Sequence, residues 1–473
     1  MEANSITIGD TKTKLVDKLG ESRYQQENLH EFSLYILDIV DLGVKISEGQ
    51  ISRKKAVIEY ERIRKLSSYK ILPMDPFLLA RREYLQRIQD NIQFLYKHGN
   101  SSPGLFYAAI DEWTRIEQPP LTSKLLPVLK YFQKFPLSTF SRAAKALNQH
   151  LQTTSQRFRK LKEDYWFIVK GLVNNWKFGL RLFILFFNLE SKYSWDSFFQ
   201  SISEYPFLNI ANEDRFNGHH YLTFQLPNDK SVVHEFKRSI SDLAGERFTY
   251  WRLQEGIAGG FSKNMGLLNE DGWAYPEELV HSDTPPTIAS EFQPMIKKCD
   301  SEPLYDYCDF LVSDVLSSDC RLPASAISTR TGLRPSAVYR KKQKLLSRGV
   351  VQPLTLWTHV DFGHLRIECD CSQDMTNSLL AIALKLPMVA YYITTQGIVL
   401  WMDVPTDHIS RYIKYFRGMF DSDGILSHRM VIGKTWTGGR PRADIARDWK
   451  IGPRGFTIEG IDISPDIADY IKV

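Results

Sequence analysis

The chain has 473 residues, more than one hydrophobic core ordinarily serves, so two or three domains are expected. Its 43% hydrophobic, 24% charged and 12% aromatic residues exclude a disordered or fibrous protein. A net charge of +5 excludes a uniformly polycationic chain, so only a local concentration of charge can mark an anionic partner. The five cysteines, Cys299, Cys308, Cys320, Cys369 and Cys371, are an odd number without paired C-x-x-C spacing, which fits a reducing compartment and no metal site. No run is long and apolar enough for a membrane span: "FGLRLFILFFNL" (178–189) is short, contains Arg181 and reads as a buried strand.

Residues 1–120 read as a helical region. Within it "ISRKKAVIEYERIRKLSSYKIL" (51–72) echoes a basic helix and its exit that occur twice further on. A third, degenerate helix-turn-helix is therefore one expectation there; a helical extension packed on the next unit is the other.

An internal repeat organises the remainder. Displaced by 184 residues, "RFRKLKEDYWFI" (157–168) falls on "KKQKLLSRGVVQ" (341–352), and Phe178-Gly179 falls on Phe362-Gly363. With a slightly shorter shift, "WRLQEG" (251–256) meets "HRMVIG" (428–433). Each copy reads as three helices, a strand, a helix, two strands, a helix and a last strand. The boundaries are a first helix-turn-helix over 121–176, a first βαββαβ domain over 177–268, a linker over 269–304, a second helix-turn-helix over 305–357, a second βαββαβ domain over 358–440 and a tail over 441–473. The fold class is α+β: tandem helix-turn-helix units, each followed by a ferredoxin-like domain whose helices cover one sheet face. The uncovered faces of the two sheets are expected to pack on each other within the chain. The linker carries eight acids against two lysines and is a poor DNA surface, while the basic start of the tail reads as a docking arm.

In the second copy "YCDFLVSDVL" (307–316) and "PASAISTRTG" (323–332) are helical in period, and "RPSAVYRKKQKLLSRG" (334–349) holds six lysines and arginines and no acid. Val338, Leu345 and Leu346 face inward, while Ser336, Tyr339, Arg340 and Gln343 share the outward face at three- and four-residue spacing. These are candidates for base edges; Arg334, Lys341, Lys342, Lys344 and Arg348 flank them as candidates for phosphates. In the first copy Asn148 stands where Gly332 stands, Gln152, Ser155, Gln156 and Arg159 are outward, and Arg157 and Lys160 add charge. The bland alternative for both helices is a solvated face on an ordinary three-helix core.

This layout resembles the leucine-responsive regulatory protein (Lrp/AsnC) family. "SAVYRKKQKLLSRGVV" is similar to its recognition helix, and "VAYYITTQGIVLWMDVPTDHISRYIKYFRGMFDSDGILSHRMVI" to its effector and oligomerisation domain. The resemblance covers residues 121–268 and 305–440 and implies a fused dimer in one chain: a cytoplasmic, nucleoid-associated prokaryotic regulator of transcription that binds double-stranded DNA as an intrachain pseudo-dimer, with room for further homo-oligomerisation and without a membrane. The family's hairpin turn reads Gly-x-x-Asp, whereas Gly397 is followed by Ile398, Val399 and Leu400, and Gly218 by His219, His220 and Tyr221. The small-molecule effector implied by the resemblance is therefore not carried over to these positions.

Two alternatives share the layout. A protein-interaction scaffold would keep the fold without DNA contact. Sirohaem decarboxylases also use it, and His428-Arg429 and His219-His220 are the pairs that could face a tetrapyrrole. No Gly-rich phosphate loop, serine elbow or H-E-x-x-H motif is present, so the expectation from sequence is a protein that is not an enzyme and takes no cofactor.

Overall fold

The computed structural model describes residues 31–66, 121–165, 167–202, 205–214, 218–269, 272–276, 293–298, 305–357, 362–421, 423–432, 436–439, 449–452, 455–459 and 463–470. The chain divides into two units. One comprises Met1–Gln118, Trp195–Glu204 and Trp436–Arg440; the other comprises Pro119–Ser194, Tyr205–Thr435 and Pro441–Val473. In the first unit the described elements are helices Glu31–Ser47, Arg53–Leu66 and Trp195–Ile202 and strand Trp436–Gly439. Helix Arg53–Leu66 is the one expected from 51–72; its exit beyond Leu66 lies outside the described residues, and Arg62 spends its charge on Glu59 at 2.9 Å.

The second unit holds both repeats. Helices α1 (Leu126–Lys134), α2 (Phe140–Ala146) and α3 (Leu151–Tyr165) form a three-helix head on a core in which Phe132 and Phe158 meet edge to face at 4.6 Å. Thr139 caps α2 by accepting from the Arg142 amide. At Asn148 the chain takes φ +50°, the only left-handed non-glycine backbone among the described residues, and this turns α2 into α3. Gly332, 184 positions later, takes φ +73° and closes the equivalent helix, as the exchange of Asn for Gly implies.

Strands β1 (Ile168–Val173), β2 (Leu180–Leu189), β3 (Leu208–Glu213) and β4 (His220–Pro227) follow, then helix α4 (Lys230–Arg247) and the long β5 (Phe248–Lys263). Short β6 (Leu268–Asn269) and β7 (Gly272–Trp273) form a ribbon, and β8 (Ile296–Lys297), inside the expected linker, adds to β5 at Ala258 and Gly259. The second head is α5 (Tyr307–Ser318), α6 (Ala324–Thr331) and α7 (Pro335–Ser347); after it come β9 (Val351–Leu356), β10 (Phe362–Cys371), α8 (Gln373–Ala383), β11 (Met388–Thr394), β12 (Gly397–Pro405), α9 (Ile409–Phe420) and β13 (Ile425–Ile432). Asp306 and Asp309 form a reciprocal capping box at the start of α5.

The strands run in the order β13-β10-β12-β11-β5-β2-β4-β3, so each copy has the same internal order, last strand beside first, then third, then second. Neighbouring strands in this order pair antiparallel, and the join between copies is edge to edge, β5 against β11 from Lys263/Met388 to Gly256/Thr394. Faces meet as well: Ile184, Phe186 and Tyr221 of the first copy pack with Val399 of the second. The opposite face of the second sheet packs against α8 and α9 through Leu379, Leu380, Tyr412 and Phe416. Cys369 and Cys371 lie in that helix-side core on one strand face, the hydrogen bond with Cys371 and then burial holding the Cys369 thiol up. Among the described residues no three His, Cys, Asp or Glu side chains could hold a metal, and no helix is long and apolar enough to cross a membrane.

The heads are tied by elements that sequence patterning missed. β1 and β9, the exits of the third helices, pair antiparallel, and Lys170 faces Leu354, its own counterpart at a shift of 184. A two-fold axis requires this of equivalent residues. Gly171 in β1 and Pro353 in β9 sit opposite each other and disguise both strands in the sequence. Arg321, in the turn after α5, crosses to the first head: its Nη1 donates to the carbonyls of Pro136 and Ser138 at 2.8 and 3.0 Å, and its guanidinium lies about 5 Å from the rings of Phe132, Phe140 and Phe158. The tail docks as an arm: Phe456 packs on Phe310 at 4.8 Å, and the Ile467 amide donates to Ser239 Oγ.

At Gly171 a Cβ would stand 2.5 Å from Val351 and 2.8 Å from the Leu316 carbonyl. Gly171→Val should therefore force the heads apart at a cost of about 1–3 kcal/mol. Thermal unfolding of the full chain checks this: the expected outcome is a drop of several degrees in Tm, and an unchanged Tm would place Gly171 away from a tight interface.

Candidate nucleic-acid interface and an inter-sheet polar cluster

On α7 the apolar side chains Val338 and Leu345 are buried against α5 and α6, which turns the opposite face outward. Arg334, Ser336, Tyr339, Arg340, Gln343 and Arg348 are exposed, Tyr339 to 59%. The lysines behave differently. Lys341 Nζ sits 2.8 Å from Asp306 and 3.0 Å from Asp309, Lys344 Nζ sits 2.8 Å from Asp309 and 4.6 Å from the Tyr305 ring centre, and Lys342 Nζ donates to the carbonyls of Cys320 and Leu322. Burial alone would lower the Lys341 pKa; the ion pairs with Asp306 and Asp309 outweigh it and raise it. These three cations fasten α7 to α5 and to the α5–α6 turn. The partners stand 20 or more positions upstream, so the one-sided charge of 334–349 conceals them in the sequence.

On α3 the buried Thr154, Phe158 and Leu161 leave Gln152, Gln156, Arg159 and Lys160 exposed, with Ser155 and Arg157 half-buried. Arg159 and Lys160 have helical acid neighbours, Glu163 at 3.9 Å and Asp164 at 4.0 Å; solvated pairs of this kind contribute only about 0.3–0.5 kcal/mol and exchange readily. Leu151, Gln152, Ser155, Gln156 and Arg159 line an open groove of about 500 Å³ together with Phe140 of α2.

A second constellation lies between the sheets. Strand pleating puts Arg366, Glu368 and Asp370 of β10 on the face away from α8 and α9, and Phe186 and Asn188 of β2 on the face that meets them. His219, only 1% exposed, faces the Glu368 carboxylate through Nε2 at 2.9 Å, and Arg366 donates to Glu368 at 2.8 Å and to the His219 carbonyl at 2.7 Å. Arg429 Nη1 reaches His219 Nδ1 at 3.0 Å and Asn188 Oδ1 at 3.2 Å. Arg252, the repeat counterpart of Arg429, pairs with Asp370, to which Gln254 also donates at 3.1 Å. Arg366 stacks over Phe186 and Tyr221 and Arg429 over Tyr250, so arginines of the second copy rest on aromatic rings of the first.

Three arginines meet two carboxylates in this cluster, and Arg366 Nη1, Arg252 Nε and Gln254 Oε1 are buried without a hydrogen-bond partner. A buried polar atom without a partner costs about 1–3 kcal/mol, so the cluster has capacity for an anionic or polar guest. His219 is held neutral by burial, which outweighs Glu368. Its Nε2 faces Glu368, and its Nδ1 lies 2.8 Å from Asn188 Oδ1 and 3.0 Å from Arg429 Nη1. Sequence reading singled out His219, His220 and Arg429 but not Arg252, Arg366 or Glu368, which alternate along strands like any sheet residue; His428 instead stacks on Phe420 at 4.1 Å, outside the cluster.

No family model and no curated protein sequence matches the chain. Among solved structures it is similar to the siroheme decarboxylase NirDL, at 12% identity over 74% of this chain and 97% of that one, with a TM-score of 0.42. It is also similar to PH0061, at 16% identity over 28% of this chain and 91% of that one with a TM-score of 0.21, and to AsnC of E. coli, at 19% identity over 27% and 91% with a TM-score of 0.22. The expectation that the chain is not an enzyme is corrected by the first of these, because a decarboxylase is an enzyme.

His220 gives a pH prediction. Burial lowers its pKa to about 4 from the usual 6.5, the Asp214 charge opposing, and its Nδ1 accepts from the Asp214 amide at 3.1 Å. Below pH 6.5 the unfolded chain takes up a proton that the native state refuses, so this group's contribution is full at neutral pH and is lost down to about pH 4, amounting to about 3 kcal/mol. Urea unfolding at pH 7 and pH 4.5 should show a smaller acid destabilisation in His220→Gln than in the parent chain. Equal destabilisation in both would remove His220 as a cause.

Proposed function

We propose that this chain is a regulator of transcription that binds double-stranded DNA with α3 and α7, its two repeats standing as a fused Lrp/AsnC dimer. One observation carries this: the outward faces of both third helices stay exposed in a unit where β1–β9 pairing relates the heads about Lys170 and Leu354. Arg340 and Gln343, with Gln152 and Gln156, have the donor and acceptor groups that read base edges, and Arg334, Arg348, Arg159 and Lys160 stand beside them for phosphates. Lys341, Lys342 and Lys344 have a different part in this reading, since they orient α7 through Asp306, Asp309 and the carbonyls after α5.

A second reading is favoured by the arginine excess between the sheets. There Arg252, Arg366 and Arg429 would hold the carboxylates of an anionic small molecule, with His219 as the proton-transferring group and Glu368 its orienting partner. One similar structure carries an iron-uroporphyrin III analogue, so a carboxylated tetrapyrrole is the probe of choice. Titration with iron-uroporphyrin should perturb its absorbance band in the parent chain and not in Arg366→Met; an unperturbed band in both removes this reading.

For DNA, fluorescence anisotropy at several salt concentrations separates the roles. Arg348→Ala should weaken binding to every duplex and flatten the log-log salt slope by about 0.9, while Arg340→Ala should cost about 1–3 kcal/mol on preferred sequence only. Lys344→Ala should lower Tm and leave the salt slope near its parent value. If Arg340→Ala and Gln156→Ala both leave affinity for all duplexes unchanged, the DNA reading is lost.

A further inference from the structure

We infer, building on the DNA reading, that the two heads read different half-sites: α3 an A·T half-site through thymine methyl groups and adenine edges, α7 a half-site containing guanine, so that the bound duplex is not a palindrome. A symmetric dimer presents one surface twice. Here the backbone two-fold is kept at β1–β9, while the outward positions differ throughout. At a shift of 184, Leu151 corresponds to Pro335, Gln152 to Ser336, Ser155 to Tyr339, Gln156 to Arg340 and Arg159 to Gln343.

The chemistry of the two sets diverges. In the first head Leu151 opens α3 with 54% of its surface exposed, and it forms a groove with Phe140, Gln152, Ser155, Gln156 and Arg159. The N-terminal residues of a recognition helix are those that reach base edges. An apolar wall there fits the thymine C5-methyl group, and a glutamine beside it fits adenine N6 and N7. In the second head Pro335 replaces the leucine and exposed Arg340 replaces Gln156. Arginine is the side chain that pairs bidentately with guanine O6 and N7, and Tyr339, exposed beside it, adds a ring against the backbone or a base.

Selection of bound duplexes from a random pool, followed by sequencing, tests this. The expected outcome is an enriched asymmetric motif, one half A·T and the other containing guanine. Replacing thymine by deoxyuridine in the A·T half should then weaken binding several-fold, and Leu151→Ala should abolish that methyl effect while leaving guanine dependence intact. Gln156→Arg should shift selection toward guanine in both halves. An enriched palindrome, or DNA binding without any enriched motif, overturns the inference and leaves DNA binding standing. Absence of binding to any duplex at low salt removes the DNA reading beneath it.

Discussion

Pairing of β1 with β9 is the constraint on which the arrangement of this molecule depends. Each head is a small body of three helices with little core of its own. Alone on a chain, each would be oriented only by its link to the following sheet. The ladder from Ile168/Leu356 to Val173/Val351 fixes the ends of α3 and α7 to each other, and the buried glycine at position 171 allows Val351, Leu316 and Cys320 to close on it. Arg321 completes the tie from the other side by placing a guanidinium of the second head among three phenylalanines of the first. Burial lowers the pKa of that guanidinium, the nearby Asp319 charge opposing. The two carbonyl hydrogen bonds satisfy donors that would otherwise be left dry.

The sheets repeat this logic with different chemistry. Edge pairing of β5 with β11 supplies continuity, and the facing surfaces carry arginines, carboxylates and aromatic rings in place of a uniform apolar layer. Removing one member of such a cluster leaves a buried charge unpaired, which costs about 3–5 kcal/mol, so its geometry is strongly specified. Specification of this kind serves a ligand site and a rigid join equally well. The two functional readings are therefore separable by mutation: Arg340 and Gln156 belong to one, Arg366 and His219 to the other.

Much of this was legible in the sequence where local chemistry announces itself. The left-handed turns at Asn148 and Gly332, the hairpin before and after Gly397 and the buried strand Leu180–Leu189 all follow from residue type and spacing. So does the equivalence of Arg252 and Arg429, although alignment alone did not say that both arginines enter one cluster. What stayed hidden depends on contacts between distant segments. β1 and β9 carry a glycine and a proline that weaken the strand signal, and their pairing exists only once both heads have formed. The lysines of 334–349 looked free because Asp306 and Asp309 stand about thirty positions upstream. Glu368 and Arg366 are indistinguishable from surface residues of a half-exposed strand until the sheet of the first copy covers them.

In the proposed DNA complex the tied heads would keep one spacing and phase, and helical phasing measures this directly. On a duplex carrying the selected site, insertion of about 5 bp between the two half-sites rotates one major groove to the opposite side of the helix, whereas about 10 bp restores the face. Heads fixed by β1–β9 and Arg321 predict that the half-turn insertion costs most of the specific affinity, and that Arg321→Ala together with Gly171→Val relieves part of that loss. Specific affinity that is unchanged by the half-turn insertion in the parent chain would contradict the account.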